Sequence, residues 1–297
     1  MFSKTHRKVR IIENNRETIL HSYLINTLIL LHCAVCLILL RFITKYYCMQ
    51  IIPISEGAFT IDKTKIFVPF DLEDDNLQSR TTGSLLVEVQ PFVVITEKDV
   101  LLLDAGLGFY KNRELQLHQN LKANNIEPAS ITKVLMSHLH KDHAGGVSKK
   151  DSLGNYSLAF PNATYFVQEK ELEYALDTGF PSYMAEELSV LYNHPQVTLL
   201  NGNGVIDNYI DYEITAGHSP YHQVFWIKEG NEIIFFGGDD APQLQQMKSR
   251  FVAKYDFDGK KCMQLRQQWW AEGKQNNWTF LFYHDVKSPV VKATPEA

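Results

Sequence analysis

A chain of 297 residues with 45% hydrophobic side chains is long enough to bury one large core or two modest ones, which excludes disorder on the domain scale. Its formal net charge of -5 gives no global attraction to nucleic acid or to anionic membranes, so a nuclease is disfavoured. Of four cysteines only Cys262 lies beyond residue 48, and Cys33-X-X-Cys36 sits in an apolar run without a second pair. Neither a disulfide framework nor a thiol redox or zinc site is expected.

From Tyr23 to Leu40 the sequence is almost wholly apolar. As a helix it spans about 27 Å at ~1.5 Å per residue, close to a bilayer core of ~30 Å. Lys4, Arg7, Lys8, Arg10 and Arg16 precede it and Arg41 and Lys45 follow it, a bias that keeps the N-terminus cytoplasmic and sends the rest outward. One reading is therefore a membrane anchor at 23–40 with the remainder outside. The other is that residues 1–48 are translated upstream sequence and that a cytoplasmic protein starts at Met49. A cleaved signal peptide is the weaker option, because no small-X-small site follows Leu40. Either way the chain divides into an extension, 1–48, and one catalytic domain, 49–297.

Beyond Gly57 strands alternate with helices. Strands are predicted at 85–89, 92–96, 100–103, 131–136, 164–167, 197–200, 210–215, 223–228, 232–236 and 279–283, with a turn at Glu229-Gly230-Asn231. Helices are predicted at 113–124, 168–176, 182–192 and 260–271. Many strands with interspersed helices fit a two-sheet core with helices outside.

The densest chemistry lies at Ser137-His138-Leu139-His140-Lys141-Asp142-His143-Ala144-Gly145-Gly146. Imidazole and carboxylate are ligands that Zn²⁺ and similar ions prefer, and alternation in an extended segment aims His138 and His140 to one side. In a helix, residues two apart would diverge. The motif is thus predicted on a loop leaving a strand, with the glycines allowing a tight turn into a helix. Three further donors each follow a predicted strand: His218 after 213–217, Asp239 after 233–238 and His284 after 280–283. Taken singly, each has an ordinary alternative as a hydrogen-bonded core histidine or a turn aspartate.

The ordered pattern His138-X-His140-X-Asp142-His143 resembles the signature of the metallo-β-lactamase superfamily of metal-dependent hydrolases, and the resemblance extends from about Met49 to His284. It implies an α/β fold, the four-layer αβ/βα sandwich. It implies that His138, His140 and His218 bind one metal, that Asp142, His143 and His284 bind a second, and that Asp239 bridges them. Asp240 competes for the bridge, but Asp239 directly follows Gly238 as in the family's Gly-Asp pattern. Asp104 corresponds to a buried aspartate that fixes the orientation of a ligand. The cofactors implied are two divalent ions, Zn²⁺ first, with Mn²⁺, Co²⁺ or Fe²⁺ as alternatives.

Such a pair holds a hydroxide, since a bound water's pKa falls from 15.7 to about 7, and no Ser or Cys nucleophile is needed. Asp142 or Asp239 can relay the proton. Gly217-His218-Ser219-Pro220 and 162–168 resemble the single-domain branch containing acyl-homoserine lactonases and organophosphate hydrolases. A small-molecule lactone or other ester is the expected substrate. Phosphotriester or β-lactam hydrolysis is the alternative on the same fold, and an iron-dependent redox member is the alternative of another class. Tyr165, Tyr183 and Tyr221 can donate a proton but ordinarily only pack. His222 is the nearest candidate acid for a leaving group, or else it faces solvent. No nucleic-acid partner is expected, membrane contact would run through 23–40, and a homodimer is one open oligomeric form.

Overall fold

Val93, Val94, Leu101, Leu102 and Leu103 are buried on both faces of their strands, which is what a strand sandwiched between two layers requires. The computed structural model describes residues 49–295. The apolar run 23–40, with Cys33, Cys36 and Cys48, lies outside them. Among the described residues no helix is long and apolar enough to cross a membrane.

Two six-stranded sheets organise the domain. Across the first run Gln50–Pro53, Phe92–Ile95, Val100–Leu103, Lys133–Leu135, Thr164–Gln168 and Val197–Leu200, antiparallel at the start and parallel from Val100–Leu103 onward. Across the second, in chain order, run Gly204–Ile206, Ile210–Ile214, Gln223–Glu229, Glu232–Phe236, Thr279–Leu281 and Val290–Lys292, with one parallel pair between Glu232–Phe236 and Thr279–Leu281.

Alternation along the strands sorts side chains into three apolar layers. Phe92, Val94, Leu101, Leu103 and Leu135 meet Phe225, Ile227, Ile234, Phe236 and Leu281 between the sheets. Val93, Leu102, Val134 and Tyr165 turn the other way, toward Leu117 and Leu121 of the helix Gln116–Ala123 and Leu172 of the helix Glu169–Thr178. On the far side Val224, Phe235 and Phe280 pack on Trp269 of the helix Gly259–Asn276. Helix, sheet, sheet, helix is the expected four-layer order, and each buried Phe or Leu contributes roughly 1.5–3 kcal/mol.

Local structure departs from expectation in places. Asp142 and His143 sit within a short helix, Lys141–Ala144, that begins inside the motif and not after the glycines. Gly145 has ordinary helical dihedrals, φ -59° and ψ -33°, so no special turn calls for it. Its role is close approach: a Cβ there would stand 2.3 Å from the Leu107 carbonyl, and one on Gly146 would stand 2.2 Å from the Ala105 oxygen. Gly217 likewise has no room for a Cβ, which would meet Asp240 Oδ1 at 2.4 Å. The predicted helix at 182–192 reduces to Ala185–Leu188 and one 3₁₀ turn. Thr279–Leu281 ends early because Tyr283 leaves the sheet to donate its hydroxyl to Asp142 O at 2.7 Å. The edge strands Gly204–Ile206 and Val290–Lys292 are too short to show periodicity.

Glu56 is the costly residue of this scaffold. It is 6% exposed, accepts the Leu107 N–H at 2.6 Å through Oε2, and leaves Oε1 without a partner. Burial lifts its pKa from the ordinary 4.5 to about 7, against the opposing pull of the Leu107 N–H. The folded chain thus keeps a proton that the unfolded chain releases in this window, so the associated stability is complete below 4.5 and lost once the pH has risen through about 7. The loss is about 3 kcal/mol at ~1.4 kcal/mol per pH unit. Denaturant unfolding at pH 5 and pH 8 should show this fall in the natural protein and a much flatter response in Glu56→Gln.

Candidate metal centre

The donors arrive on strands that run the same way and end at one edge. Val100–Leu103 delivers Asp104, and Lys133–Leu135 delivers His138 and His140. From the second sheet Ile210–Ile214 delivers His218, Glu232–Phe236 delivers Asp239 in the 3₁₀ turn Gly238–Asp240, and Thr279–Leu281 delivers His284. The chain turns past each strand end, with Asp104 at φ 54° and Asp239 in its 3₁₀ turn, and so brings the side chains to the cleft above the interlayer core.

Among the described residues three groups of three donors result, one of them Asp104, His138 and His143, in which Asp104 is engaged by hydrogen bonds from His143 and Ser137; the other two face the cleft. His138, His140 and His218 form one, and Asp142, His143 and His284 the other, with the donor atoms of each group within 4.8 Å of one another. His140 Nδ1 lies 3.0 Å from both His138 Nε2 and His218 Nε2. His143 Nε2 lies 3.3 Å from His284 Nε2. Asp239 stands between the groups: Oδ2 is 3.2 Å from His218 Nε2, while Oδ1 is 3.1 Å from His143 Nε2 and 3.0 Å from His284 Nε2. Asp142 Oδ2 is farther from the last two, at 3.7 and 3.5 Å.

Outer hydrogen bonds decide what those nitrogens offer. His143 Nδ1 donates to Asp104 Oδ2 at 2.7 Å, His218 Nδ1 to Asp256 Oδ1 at 2.9 Å, and His284 Nδ1 to the Glu88 carbonyl at 2.6 Å. His138 Nδ1 donates to Ser137 Oγ at 3.1 Å, which in turn donates to Asp104 Oδ2 at 2.6 Å. With the proton on Nδ1 in these four rings, each Nε2 presents a bare lone pair to the centre. Lone pairs about 3 Å apart repel unless a cation lies among them. Asp239 Oδ1 is buried and accepts no hydrogen bond of good geometry. A divalent ion fits this arrangement, and the mixed imidazole and carboxylate set suits zinc.

The charge balance agrees. Burial, with the neighbouring rings His143 and His218, pushes His138 and His140 well below the ordinary histidine pKa, so both are neutral donors that could hold an ion. Burial also opposes charge on His143, His218 and His284, but Asp239 outweighs it, helped by Asp142 and Asp104 at His143 and by Asp256 at His218, and all three are raised. Burial disfavours ionised Asp239 too, yet the charges of His284, His143 and His218 hold its pKa well below the usual carboxylate range. The carboxylates demand positive charge, which bound cations would supply in place of protons.

Asp104 is wholly buried and orients two rings, His143 directly and His138 through Ser137. Asp240 faces away from the donors: Oδ1 accepts the His218 N–H at 2.6 Å, Oδ2 lies 3.2 Å from His222 Nδ1, and its carbonyl accepts from Arg266. His222 does not face solvent; it is fully buried, and its Nε2 accepts the Asp239 N–H at 3.2 Å, so it has no proton to give a substrate there. Tyr165 is spent on Val147 O and Phe160 N, and Tyr183 on Glu171 and Ser219. Tyr221 packs edge-on to Tyr174 at 6.0 Å.

Sequence reasoning missed Asp256, Glu171 and Arg266. Glu171 accepts from Leu139 N at 3.0 Å and Ser219 Oγ at 3.1 Å, tying the His138 loop to the His218 loop. Arg266, also fully buried, joins Asp240 O to Phe251 O. Asp256 and Glu171 are single acids among other charged residues, and Arg266 a lone charge among glutamines and tryptophans; the Asp256-X-Asp258 spacing ahead of a helix was the one available signal.

The family model of the metallo-beta-lactamase superfamily matches residues 87–251. The chain belongs to that superfamily. Among curated proteins it is similar to the N-acyl homoserine lactonase AttM of Agrobacterium fabrum, 31% identical over 122 residues, which are 37% of this chain and 41% of that protein. It is also similar to the N-acyl homoserine lactonase AiiA of Bacillus thuringiensis subsp. kurstaki, 28% identical over 50% of this chain and 62% of that one. The matches thus span two to three fifths of these relatives' length. Solved structures of the same fold include a probable metal-dependent hydrolase from Staphylococcus aureus, with TM-score 0.67 and 22% identity over 84% of this chain and 93% of that one. Another is AidC, a dizinc quorum-quenching lactonase, with TM-score 0.63 and 18% identity over 84% and 92%.

Two outcomes follow for metal-loaded protein. Asp239→Ala should lower the stoichiometry of bound metal, measured by plasma emission, whereas Asp240→Ala should act on thermal stability; metal loss confined to Asp240→Ala would refute the assigned bridge. Asp256→Ala should weaken metal held with His218 by roughly 10- to 100-fold, the usual effect of losing a ligand's outer partner, read as chelator competition for one ion per chain.

Proposed function

We propose that this protein is a dinuclear metallohydrolase, with zinc as the expected ion, that opens lactones or closely related activated esters. The observation that carries the reading is Asp239, whose two oxygens address two separate three-donor groups. His138, His140 and His218 would hold one ion, Asp142, His143 and His284 the other, with Asp239 between. Ions held there would supply the chemistry the reaction needs, lowering the pKa of a water from 15.7 to about 7 and polarising a carbonyl oxygen.

The protein's own groups do the rest. Asp104, Asp256 and the Glu88 carbonyl keep the rings' lone pairs aimed inward, so no reorganisation is needed during reaction. Asp142, set back from the imidazoles relative to Asp239, is the carboxylate with an edge free to take a proton at Oδ1 or Oδ2 and pass it on. Substrate choice rests on how poorly the site supplies a proton. An amine leaving group needs an acid; His222, Tyr165 and Tyr183 are buried and committed elsewhere, and Tyr255, edge-on to His218 at 6.0 Å, is made a weaker acid by burial and by the charge of Asp239. An alkoxide from a lactone ring needs less help, which favours ester over amide or β-lactam cleavage. The names of the curated relatives, N-acyl homoserine lactonases, support the same choice.

Purified protein should hydrolyse a γ-lactone in a pH-stat assay, lose that activity on EDTA dialysis and regain it with Zn²⁺, Mn²⁺ or Co²⁺. Vigorous phosphotriester or β-lactam turnover with inert lactones would overturn the substrate reading. Lactonase activity surviving complete metal removal would overturn the metal reading as well.

A further inference from the structure

Lys141 stands between two proposed ligands, His140 and Asp142, at the mouth of the site. Its ammonium lies 5.8 Å from the centre of the Phe67 ring and 5.9 Å from that of Phe180, the latter 77% exposed. A second ammonium is near: Lys65 Nζ donates to Ser182 Oγ, and the backbone N–H of Lys141 donates to the Ser182 carbonyl at 2.9 Å. Ser182 thus ties the Lys141 backbone to the Lys65 side chain, and the charge of Lys65 reaches the Lys141 ammonium. Among the described residues neither forms an ion pair. The acid whose charge reaches Lys141 is Asp142, and Lys65 repels it; the charge of Lys65 also reaches His140. Asp142 also faces His143 and His284, at 3.7 and 3.5 Å, so the Lys141 ammonium shares that carboxylate with two imidazoles.

An alkyl tail laid across Phe67 and Phe180 would have to strip water from the Lys141 ammonium and give it nothing in return. An anionic group would pair with that charge while its carbon skeleton still covered the rings. We propose that Lys141 and Lys65 select substrates bearing an anionic group remote from the cleaved bond, seated against Ser182 between Phe67 and Phe180. This rests on the hydrolase reading and narrows it: the preferred lactone or ester carries a carboxylate or a phosphate monoester on its side chain.

The test uses three lactones of one ring and one side-chain length, ending in a carboxylate, a phosphate monoester or a neutral carboxamide. With the metal-loaded natural protein, kcat/KM for one or both anionic forms should exceed that for the carboxamide by about ten-fold or more, and the advantage should shrink as salt is raised. In Lys141→Met the ratio should collapse toward one, through KM and not kcat, with Lys65→Met showing a smaller change in the same sense. Circular dichroism and metal content establish that the variants are folded. Equal rates for carboxamide and anions, or a ratio that survives both substitutions, would overturn the proposal. If none of the three is cleaved, the hydrolase reading fails on its own, and titration calorimetry with the same compounds still decides selection: tighter binding of the anions that is lost in Lys141→Met supports it, and equal binding sinks it.

Discussion

Imidazole nitrogens whose lone pairs meet about 3 Å apart repel one another, and the whole of this fold is arranged to keep them there. Packing alone does not fix them, although His143 stacks on Tyr283 at 4.0 Å and His140 lies against Tyr183 at 4.8 Å. Four of the five rings are also gripped from behind, His143 by Asp104, His218 by Asp256, His284 by a backbone carbonyl and His138 by Ser137. The grips come from the first sheet's strand ends at Asp104 and Ser137, from the separate strand Leu85–Val89 and from the loop ahead of the helix Gly259–Asn276, so the geometry exists only in the assembled sandwich. Its three apolar layers, one between the sheets and one outside each, act as the frame against which that repulsion is balanced.

Much of this was legible in the chain, for a physical reason. Ligand chemistry is carried by residue type, so His138, His140, Asp142, His143, His218, Asp239 and His284 stood out, and the structure brings all seven to one cleft. Strands buried on both faces announce themselves through Val and Leu runs, as at 92–95 and 100–103. What was hidden is relational. Asp256 looks like any polar residue until His218, 38 positions away, is folded against it. Gly145 and Gly146 suggested a turn, whereas the structure asks them for thinness, so that two backbones can touch. His222 has the right chemistry for an acid and the wrong surroundings, a fact that no local pattern contains.

The position of Lys141 shows how little separates binding from catalysis in such a site. Its neighbours on either side are proposed ligands, so the backbone that fixes the reacting centre also fixes the charge presented at the rim. A change of preference can thus be reached by altering one side chain, without moving a donor atom.

Arg266 carries a different consequence. It is buried in the helix Gly259–Asn276 and holds both the carbonyl of Asp240, one residue beyond Asp239, and that of Phe251, at the start of the loop bearing Asp256. Cys262 of the same helix lies 3.3 Å from Asp240 Oδ1, which in turn holds the His218 backbone. Undocking this helix would therefore release the Asp239 turn and the His218 ring together. Since a ligand that binds only the folded form stabilises it by mass action, an ion held by those two residues would also fasten the helix, and filling the cleft and seating the helix would become one cooperative event.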